Sequence, residues 1–392
     1  MVENNDGSHE TIRAKYVVGC DGSRSVVRGA TEGIKFVGHQ FEEVFILCDA
    51  KIDSSKSTTD LETKQMHVCV GDGMLVSFAL ENGKRRIFAS RKKEDIGKEL
   101  ALPEFQKLLA EFIPSGDKMV ISDPDWLSVF NVHHKIADQY RDGRLFVAGD
   151  AAHIHSPAGG QGGNTSMQDA ANLGWKLAAV LRGEKPASFL DTYHEERHPI
   201  GRTLLAHSDQ RLSFVCSKNP VFLFLRNLLV PRLLPLMDKV QPQKLARFDN
   251  QLGIRYKKSS IVGTAPGFTG KIKGGYRVVD GKIRSPGGET WLHELFTPGS
   301  YHLVLFSGLQ GTFLEDVGFK TGERFRKQIN AEAKVHTVYN EHAKGCVDVD
   351  GNLHKQFGFT NQAGFIFVRP DGYIGYIGFL SSFDTFLDWL KK

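Results

Sequence analysis

Two aspartates stand where short apolar runs end, and each has neighbours suited to holding a ligand. Asp150 follows the run 144–148, whose composition is typical of a strand buried on both faces. Asp21 follows the strand-like run 11–20 and precedes the polar start of a short helix. A carboxylate at the carboxyl end of a buried strand can accept hydrogen bonds from a hydroxylated ligand.

A glycine-rich loop follows Asp150 and leads into a helix. Its glycines leave main-chain NH groups uncovered, so a flat or anionic ligand can approach the backbone closely. These glycines are Gly159, Gly160, Gly162 and Gly163. Asn164 or Thr165 is predicted to cap a helix whose small and apolar residues recur at three and four up to Leu181, with Gly183 at its end. Because the partly positive helix start points into the loop, the stretch predicts a cofactor cradle at the carboxyl edge of a sheet.

The composition bounds the class of protein. A chain of 392 residues is long enough for two or three domains, and its 41% hydrophobic and 24% charged content is ordinary. The net charge of +5 comes without any block of like charges, which argues against nucleic-acid binding and suits an anionic cofactor or NADPH. The five cysteines are scattered and never spaced as CxxC. This pattern argues against disulfides and zinc and predicts a reducing, cytoplasmic setting.

Neither the amino terminus nor the apolar stretch 214–237 indicates a membrane protein. The amino terminus is polar and lacks the apolar core of a signal peptide. The apolar stretch 214–237 is interrupted by prolines and basic residues, so no integral membrane segment is expected. We predict short helices that pack on the rest of the protein, with a membrane-surface helix as the alternative.

The middle of the chain is rich in β-branched and aromatic residues. Phe41–Ile52 and Gln65–Ser90 read as strands, and Asn82-Gly83 predicts a two-residue hairpin turn between LVSFAL and RRIFAS. The stretch 96–112 reads as a helix and 118–140 as a return to strand. We therefore expect a mixed antiparallel layer between the two acidic strand ends.

Two runs carry a family resemblance. GDAAHIHSPAGGQGGNTSMQDAANLGWKLA (149–178) resembles the second flavin motif of the single-component FAD-dependent aromatic hydroxylases of the para-hydroxybenzoate and phenol hydroxylase type, and YVVGCDGSRSVVR (16–28) resembles their DG fingerprint. The resemblance implies that Asp150 holds the ribityl chain, that the DG residues lie near the pyrophosphate, and that the Pro157 main chain lines the reactive face of the flavin. The implied cofactor-binding residues are Asp21, Gly22, Arg28, Gly149, Asp150, Pro157, Gly159, Gly160, Gln161, Gly162, Gly163 and Asn164.

The resemblance also implies an architecture of the α/β (α+β) class. An incomplete FAD-binding Rossmann-like domain (1–40 and 141–205) would carry an inserted antiparallel-sheet substrate domain (41–140). A helical connector (206–258) would lead to a small thioredoxin-like α/β domain (259–392). Before the connector, 191–202 is expected to form a charged and solvated helix. The stretch 251–267 is expected to be a linker into the last domain. FVRPDGYIGYIG (367–378) resembles the end of that domain, which without CxxC is expected to serve packing or assembly.

The histidines beside the glycine loop invite a metal interpretation. His153 and His155 are spaced by one residue, but no third ligand of suitable spacing is evident. The resemblance places this segment against flavin without metal. We expect no metal, with His153 packed or hydrogen-bonded and the role of His155 open.

The family's opening GxGxxG unit, which takes the ADP half of FAD, has no counterpart here. We expect a fragment, a mispredicted gene start or a shortened form, and little flavin in the chain expressed alone. The resemblance implies an NAD(P)H-dependent monooxygenase that hydroxylates a phenol-like substrate with O2 through a flavin C4a-hydroperoxide. No general base can be named from the sequence. A homodimer is compatible with the resemblance. An epoxidase or halogenase, or a non-catalytic binding or assembly remnant, stays open.

Overall fold

The structure is a computed structural model that describes residues 2–4, 6–61, 65–71, 73–92, 94, 100–156, 160–215, 217, 219–240, 251–310, 315–329, 331–340 and 345–391. The chain forms two compact units. Unit 1 comprises residues 1–163 and 201–249, and unit 2 comprises residues 164–200 and 250–392. The mixed α/β class predicted from the sequence is confirmed.

The bounds of the elements are as follows. The strands are β1 (Val2–Glu3), β2 (His9–Glu10), β3 (Val17–Gly19), β4 (Phe36–Asp53), β5 (Met66–Gly71), β6 (Gly73–Ala79), β7 (Arg85–Lys92), β8 (Val120–Ala137), β9 (Arg141–Asp142), β10 (Leu145–Val147), β11 (His153–Ile154), β12 (Gly263–Thr264), β13 (Lys282–Ser285), β14 (Gly288–Trp291), β15 (Tyr301–Phe306), β16 (Ala333–Tyr339), β17 (Cys346–Val347), β18 (Gly364–Val368) and β19 (Ile374–Phe379). The helices are α1 (Val26–Gly29), α2 (Leu102–Phe112), α3 (Gly162–Leu181), α4 (Asp191–Val215), α5 (Pro220–Val240), α6 (Glu315–Arg326), α7 (Asn352–Phe357) and α8 (Phe383–Leu390).

A small sheet of unit 1 joins the two strands that end in acidic residues. β3 and β10 are parallel neighbours, and β9 is antiparallel to β10. The strand expected over 11–20 is shorter than predicted, since only Val17–Gly19 pairs. The preceding Thr11, Arg13 and Lys15 are exposed, so this stretch has no apolar face to bury.

A six-stranded antiparallel sheet forms the middle of unit 1, with the strand order β11-β8-β4-β7-β6-β5. Alternate residues of its strands point to opposite faces. One face carries buried aliphatic residues such as Ile46 and Ile87 and packs against Phe105, Leu108 and Leu109 of α2. The predicted antiparallel layer is present. The predicted helix begins later than expected, at Leu102, and residues 95–99 lie outside the described residues.

The opposite face of this sheet is aromatic. Phe45, Phe88 and Phe130 lie on three adjacent strands, with ring centroids 4.6 Å apart for Phe45 and Phe88 and 5.6 Å apart for Phe88 and Phe130. Phe41, Met74, Val76 and Val132 pack with them, as does Leu212 of α4. We call this surface the aromatic face. Its stacked rings provide an apolar, flat surface inside unit 1.

The predicted hairpin is present but its turn is longer than two residues. β6 pairs with β7 from Leu75 opposite Ala89 to Ala79 opposite Arg85. The connection is closed by the bond from Leu80 N to Lys84 O (2.8 Å), so it contains an additional residue beyond Asn82-Gly83. Asn82 and Gly83 have φ values of 64° and 71°, which is the reason these residue types stand there.

The helix after the second acidic strand starts earlier than predicted. α3 begins at Gly162, so Asn164 lies in its first turn and is not its cap. The predicted end is confirmed, because α3 ends at Leu181 and Gly183 has a φ of 75°. The N–H of Gly183 donates to Val180 O, which satisfies one of the last carbonyl groups of α3.

Within the stretch 214–237, residues 214 and 215 end α4, and from Pro220 onward the chain forms one long helix, α5 (Pro220–Val240), rather than the predicted short helices. Several apolar side chains on α5 also stay 39–67% exposed, so the expectation that they pack on the protein was wrong for this surface. These residues are Val221, Phe224, Leu225, Leu228, Leu229 and Leu233. Within the described part of the chain, no helix is long and apolar enough to cross a bilayer.

Unit 2 is built on an eight-stranded mixed sheet with the order β12-β19-β18-β15-β16-β17-β13-β14. Its centre joins β15 to β16 in parallel and to β18 in antiparallel pairing. Every residue of β15 and β18 is buried. The predicted strands 301–306, 333–339 and 364–368, the turn 369–372 and the closing helix 383–390 are all confirmed.

Two expectations about unit 2 were wrong. The stretch 251–267, predicted as a linker, is packed, because Gln251, Tyr256 and Ser259 are buried. The helix segment 191–202, predicted as a solvated charged face, buries Glu196 and Arg197. Charge alone does not distinguish a solvated residue from one that is fully paired.

The paired charges of unit 2 form what we call the charged cluster: Lys176, Glu196, Arg369 and Asp371. Glu196 accepts from Lys176 Nζ (2.7 Å) and from both terminal nitrogens of Arg369 (2.5 and 2.9 Å). Arg369 also binds Asp371. Burial by itself would raise the pKa of Glu196, but Arg369 and Lys176 hold it below its ordinary value. Burial lowers the pKa of Lys176 to about 8 against the opposing pull of Glu196.

Candidate flavin site

The two sequence-predicted acids lie at the same edge of the small sheet. β3 and β10 run parallel with Gly19 opposite Val147, and Ala148 N donates to Gly19 O (3.0 Å). Asp21 and Asp150 follow these paired residues closely, and both are exposed. A Cβ at Gly19 would lie 2.8 Å from the Cβ of Val27, so glycine allows α1 to pack close to the strand. The structure thus brings the two motifs together at one sheet edge.

Asp21 has a structural task in addition to its place at the edge. Its Oδ2 accepts from the main-chain N–H of Val26 (2.7 Å) and of Val27 (3.1 Å), which satisfies donors at the start of α1. Ser25 Oγ accepts from Arg28 N (3.0 Å). Slight burial raises the pKa of Asp21, but hydrogen bonds from Ser25, Val27 and Val26 lower it overall. Gly22 has a φ of 81°, which a residue with a side chain adopts rarely.

Arg28 ties the two motifs together. Its guanidinium donates to Ala151 O and to Ser23 O, both at 2.7 Å, and lies 3.8 Å above the ring centroid of Phe36. Because Ala151 belongs to the turn that carries Asp150, this side chain fixes the position of one acidic motif relative to the other. No local sequence pattern indicates this role of Arg28.

Asp150 differs from Asp21 in accepting no main-chain hydrogen bond from the part of the chain that the structure describes. It lies in a single-turn 3-10 helix over Gly149–Ala151, and Gly149 has a φ of 62°. The Asp150 carboxylate is exposed and accepts no hydrogen bond from the described part of the chain. Such a group is available to a hydroxylated ligand.

The glycine loop has an open main chain where it is described. Gly160 has a φ of 63°, and a Cβ at Gly160 or Gly163 would meet no atom within 4 Å. Gly162 begins α3, Gln161 is buried and Asn164 is exposed. Pro157 and Gly159 lie outside the described residues. The open main chain at Gly160 and Gly163 and the partly positive start of α3 fit the pyrimidine edge of a flavin, which accepts hydrogen bonds.

The histidines before the loop are packed. His153 is buried with its ring 6.3 Å from that of Tyr140. His155 is half-buried, and its Nδ1 donates to Ser156 O (2.8 Å). Burial lowers the pKa of His155, against the opposing effect of this hydrogen bond. His155 is therefore neutral at neutral pH.

A cluster that the sequence did not reveal lies beside this segment. His134 of β8 is buried, its Nδ1 faces Asp209 Oδ1 of α4, and its Nε2 accepts from Ser156 N (2.7 Å). His39 of β4 lies 3.7 Å from the same Asp209 oxygen. Burial lowers the pKa of His134, against the opposing charge of Asp209. The burial of His134 could have been predicted from the period-2 pattern of β8. This pattern places His134 between the inward-facing Val132 and Ile136.

Among the described residues, His39, His134 and Asp209 are the group with metal-ligand spacing. A main-chain N–H can only donate, so His134 Nε2 must be unprotonated and its Nδ1 carries the proton that points to Asp209. His134 then has no free lone pair for a metal. The arrangement fits a neutral hydrogen-bonded histidine.

Comparison with known proteins agrees with this geometry. Residues 1–208 match the family described as FAD binding domain. The 6-methylpretetramide 4-monooxygenase of Streptomyces rimosus is 31% identical over 376 residues, covering 94% of this chain and 64% of the relative. Pentachlorophenol 4-monooxygenase of Sphingobium chlorophenolicum is 38% identical over 206 residues, covering 51% of this chain and 36% of the relative. The chain thus spans less than two thirds of the length of these relatives.

Solved structures show the same fold. An aromatic hydroxylase from angucycline biosynthesis superposes with a TM-score of 0.70 at 29% identity, covering 96% of this chain and 68% of the other. Anhydrotetracycline hydroxylase from Streptomyces rimosus gives 0.68 at 28% identity, covering 96% of this chain and 68% of the other. The chain therefore belongs to the FAD-binding-domain family, and the proteins to which it is similar include monooxygenases and an aromatic hydroxylase by name, in agreement with the family resemblance of the sequence.

Proposed function

We propose that this chain is the bulk of a flavin-dependent monooxygenase that hydroxylates a phenol-like aromatic substrate with NAD(P)H and O2. The observation that carries the proposal is the meeting, at one sheet edge, of Asp21, Asp150 and an open glycine loop. In this proposal Asp150 accepts from ribityl hydroxyls, and the residues 157–164 with the start of α3 face the pyrimidine side of the ring. Gly22 and Gly149 give the turns their conformation.

Bound FAD would take a hydride from the nicotinamide and supply the electrons that activate O2, so that one oxygen atom enters the ring and the other leaves as water. The protein's own part is to bind, to orient and to exclude water. The main-chain NH groups at the start of α3 suit the negative charge that the ring gains on reduction. Asp21 holds the start of α1, and Arg28 connects that motif to the turn that carries Asp150.

The aromatic face supports the substrate assignment. Phe45, Phe88 and Phe130 stack in unit 1 on the inserted sheet, which we assign as the substrate domain (41–140). Stacked rings bind a flat aromatic molecule by burying its apolar surface and by stacked or edge-to-face ring contacts. The relatives named above act on phenolic or polycyclic aromatic compounds by their names.

The remaining assignments follow the same reasoning. We assign 1–40 and 141–205 to FAD binding, 206–258 to a helical connector and 259–392 to a thioredoxin-like domain. The parallel pair β15 and β16, followed by antiparallel β18 and β19, supports the last assignment. Cys48, Cys69 and Cys346 are in no disulfide among the described residues, which supports a cytoplasmic setting, and Cys346 is the cysteine of 259–392, which supports a non-redox role for this domain.

The test is to load the chain with FAD and to follow NAD(P)H oxidation with a panel of phenols, while mass spectrometry with 18O2 detects oxygen in the product. Oxygen incorporation that depends on the phenol is expected. NAD(P)H oxidation that gives a halogenated or epoxidised product, or that incorporates no oxygen into any phenol of the panel, contradicts the proposal.

A matched pair of variants tests the substrate face. Phe130→Ala removes a ring from the aromatic face and should raise KM for the aromatic substrate about tenfold. Val129→Ala changes the next residue of β8, which points to the opposite side and is 45% exposed, and should leave KM unchanged. Equal effects of the two variants would remove the aromatic face from the substrate site.

A further inference from the structure

Ser156 immediately precedes the flavin-facing residues, and its main chain is fixed on both sides. Its N–H donates to His134 Nε2 (2.7 Å). Its carbonyl accepts from His155 Nδ1 (2.8 Å) and from Ser208 Oγ (3.2 Å). The hydroxyls of Ser156 and Ser208 are 2.7 Å apart. The chain therefore enters the loop from an anchored residue, and β8 and α4 supply the anchors.

His134 connects this anchor to the aromatic face. Its ring is 4.7 Å from that of Phe41, in an edge-to-face arrangement at 80°. Phe41 packs against the cluster that contains Phe45. Asp209 Oδ1 lies against His134 Nδ1, which favours the tautomer with a proton on Nδ1 and this orientation of the imidazole. Because both ring nitrogens are engaged, His134 has no atom left to accept a proton from a substrate.

We propose that His134, held by Asp209, is a positioning residue that anchors the main chain at Ser156 and thereby sets where the flavin-facing loop begins. The inference rests on the proposed function, since it assigns the loop to flavin. It gives β8 two tasks, because Val132 and Phe130 line the aromatic face and His134 anchors the loop.

The anchor works only with a neutral imidazole. A proton on Nε2 would place a donor against the Ser156 N–H donor, so acid should release the main chain. The titratable groups that face His134 are Asp209 of α4, His39 of β4 and His155 of the anchored segment. Asp209 favours a charged imidazole, whereas the two histidines and burial disfavour it. Release is therefore expected below the ordinary titration range of histidine.

The first experiment needs no flavin and no variant. Imidazole 15N NMR of the full chain should show His134 as the Nδ1–H tautomer, which is the less common form in free histidine. Amide hydrogen exchange should show Ser156 protected at neutral pH, with protection lost in acid. An Nε2–H tautomer, or an unprotected Ser156 amide at neutral pH, overturns the proposal.

The second experiment uses three variants and one control. His134→Phe and Asp209→Ala should speed exchange of the Ser156 amide at least tenfold and weaken FAD binding about tenfold. Asp209→Asn keeps an oxygen acceptor for Nδ1–H. This variant should therefore keep most of the protection of the Ser156 amide and most of the FAD affinity. The control His133→Gln changes the adjacent residue of β8, which does not contact Ser156, and should change neither quantity.

The outcomes separate this proposal from the proposed function. Faster exchange with unchanged FAD affinity and an unchanged visible flavin spectrum overturns the positioning role while leaving the flavin assignment intact. An unmodified chain that shows the anchor and binds FAD but incorporates no oxygen into any phenol overturns the proposed function and leaves the positioning role intact. Weakened binding together with a red- or blue-shifted flavin spectrum, in the anchor variants alone, supports the proposal.

Discussion

Unit 1 and unit 2 use acidic residues in opposite ways. In unit 2 Glu196 is buried and receives hydrogen bonds from Lys176, Arg369, Asn172 and Ser259. In unit 1 Asp150 is exposed at the sheet edge and accepts none from the described residues. The first acid is saturated by the protein, and the second is the one that we propose binds a ligand. Asp21 is intermediate, because it caps α1 and still lies at the edge.

The contrast shows how to separate stability from binding in this chain. A saturated buried charge is costly to break, since its partners lose their compensation. An unsatisfied exposed charge contributes little to folding, so its presence is better explained by a ligand. Substitutions of the two kinds of acid should therefore affect different quantities.

The largest effect is expected at the charged cluster. Glu196→Ala leaves Lys176 and Arg369 without their shared carboxylate and should lower the free energy of unfolding by about 3–5 kcal/mol. Urea unfolding followed by tryptophan fluorescence measures this, since Trp175 Nε1 donates to Asp371 in the same cluster (3.1 Å). Glu195→Ala is the matched control on the same helix. Glu195 binds Ser260 at an exposed position, so its loss should cost less than about 1 kcal/mol. Similar losses of unfolding free energy for Glu196→Ala and Glu195→Ala would show that the buried, saturated acid contributes no more to stability than an exposed one.

The second effect concerns binding and not folding. Asp150→Ala should weaken FAD binding about ten- to a hundredfold, because a charged hydrogen bond to a ribityl hydroxyl is lost. Fluorescence titration with FAD measures the affinity, and urea unfolding should give an unchanged midpoint. Asp150→Asn keeps one acceptor oxygen and should lie between the two. Unchanged flavin retention in the alanine variant would remove Asp150 from the site.

The third effect divides the two tasks of Asp21. Asp21→Ala should cost about 1 kcal/mol through the lost α1 cap and should also weaken FAD binding and slow reduction by NAD(P)H. Ser25→Ala removes the other cap of α1, whose Oγ accepts from Arg28 N, without altering the charge at the edge. Its stability loss should be similar and its reduction rate normal, as stopped-flow absorbance would show. Normal reduction in both variants would leave Asp21 a structural residue only.

Much of the fold was predictable where a local pattern decided the structure. The strands 301–306, 333–339 and 364–368 are apolar runs bounded by turn residues, and their bounds are confirmed. The end of α3 was predictable because Gly183 follows the last apolar position and adopts a positive φ. The family motif located Asp21 and Asp150, and the structure places both at one sheet edge.

What the sequence did not predict depends on partners distant in the chain. Glu196 reads as a solvated acid until Arg369, 173 residues away, is brought to 2.5 Å. Tyr256 reads as part of a linker until it packs beside Arg197, with its hydroxyl 3.2 Å from the guanidinium. The tie from Arg28 to Ala151 and the anchor at Ser156 are of the same kind, since neither has a local signature. Long-range pairing is decided by topology and not by spacing.

The smallest effect is expected where unit 2 buries a titratable group without an opposite charge. Burial, with His302 and Lys334 nearby, lowers the pKa of His336 from 6.5 to about 4. Its Nε2 lies 3.0 Å from His302 Nδ1. Between these two values the unfolded chain binds more protons than the folded one, so stability falls as pH drops from 6.5 toward 4. His336→Gln should make this fall shallower, as urea midpoints at about pH 7 and about pH 4.5 would show. The same substitution at the exposed His9 should leave the slope unchanged, and an equal change in both variants would show that His336 is not part of the acid response.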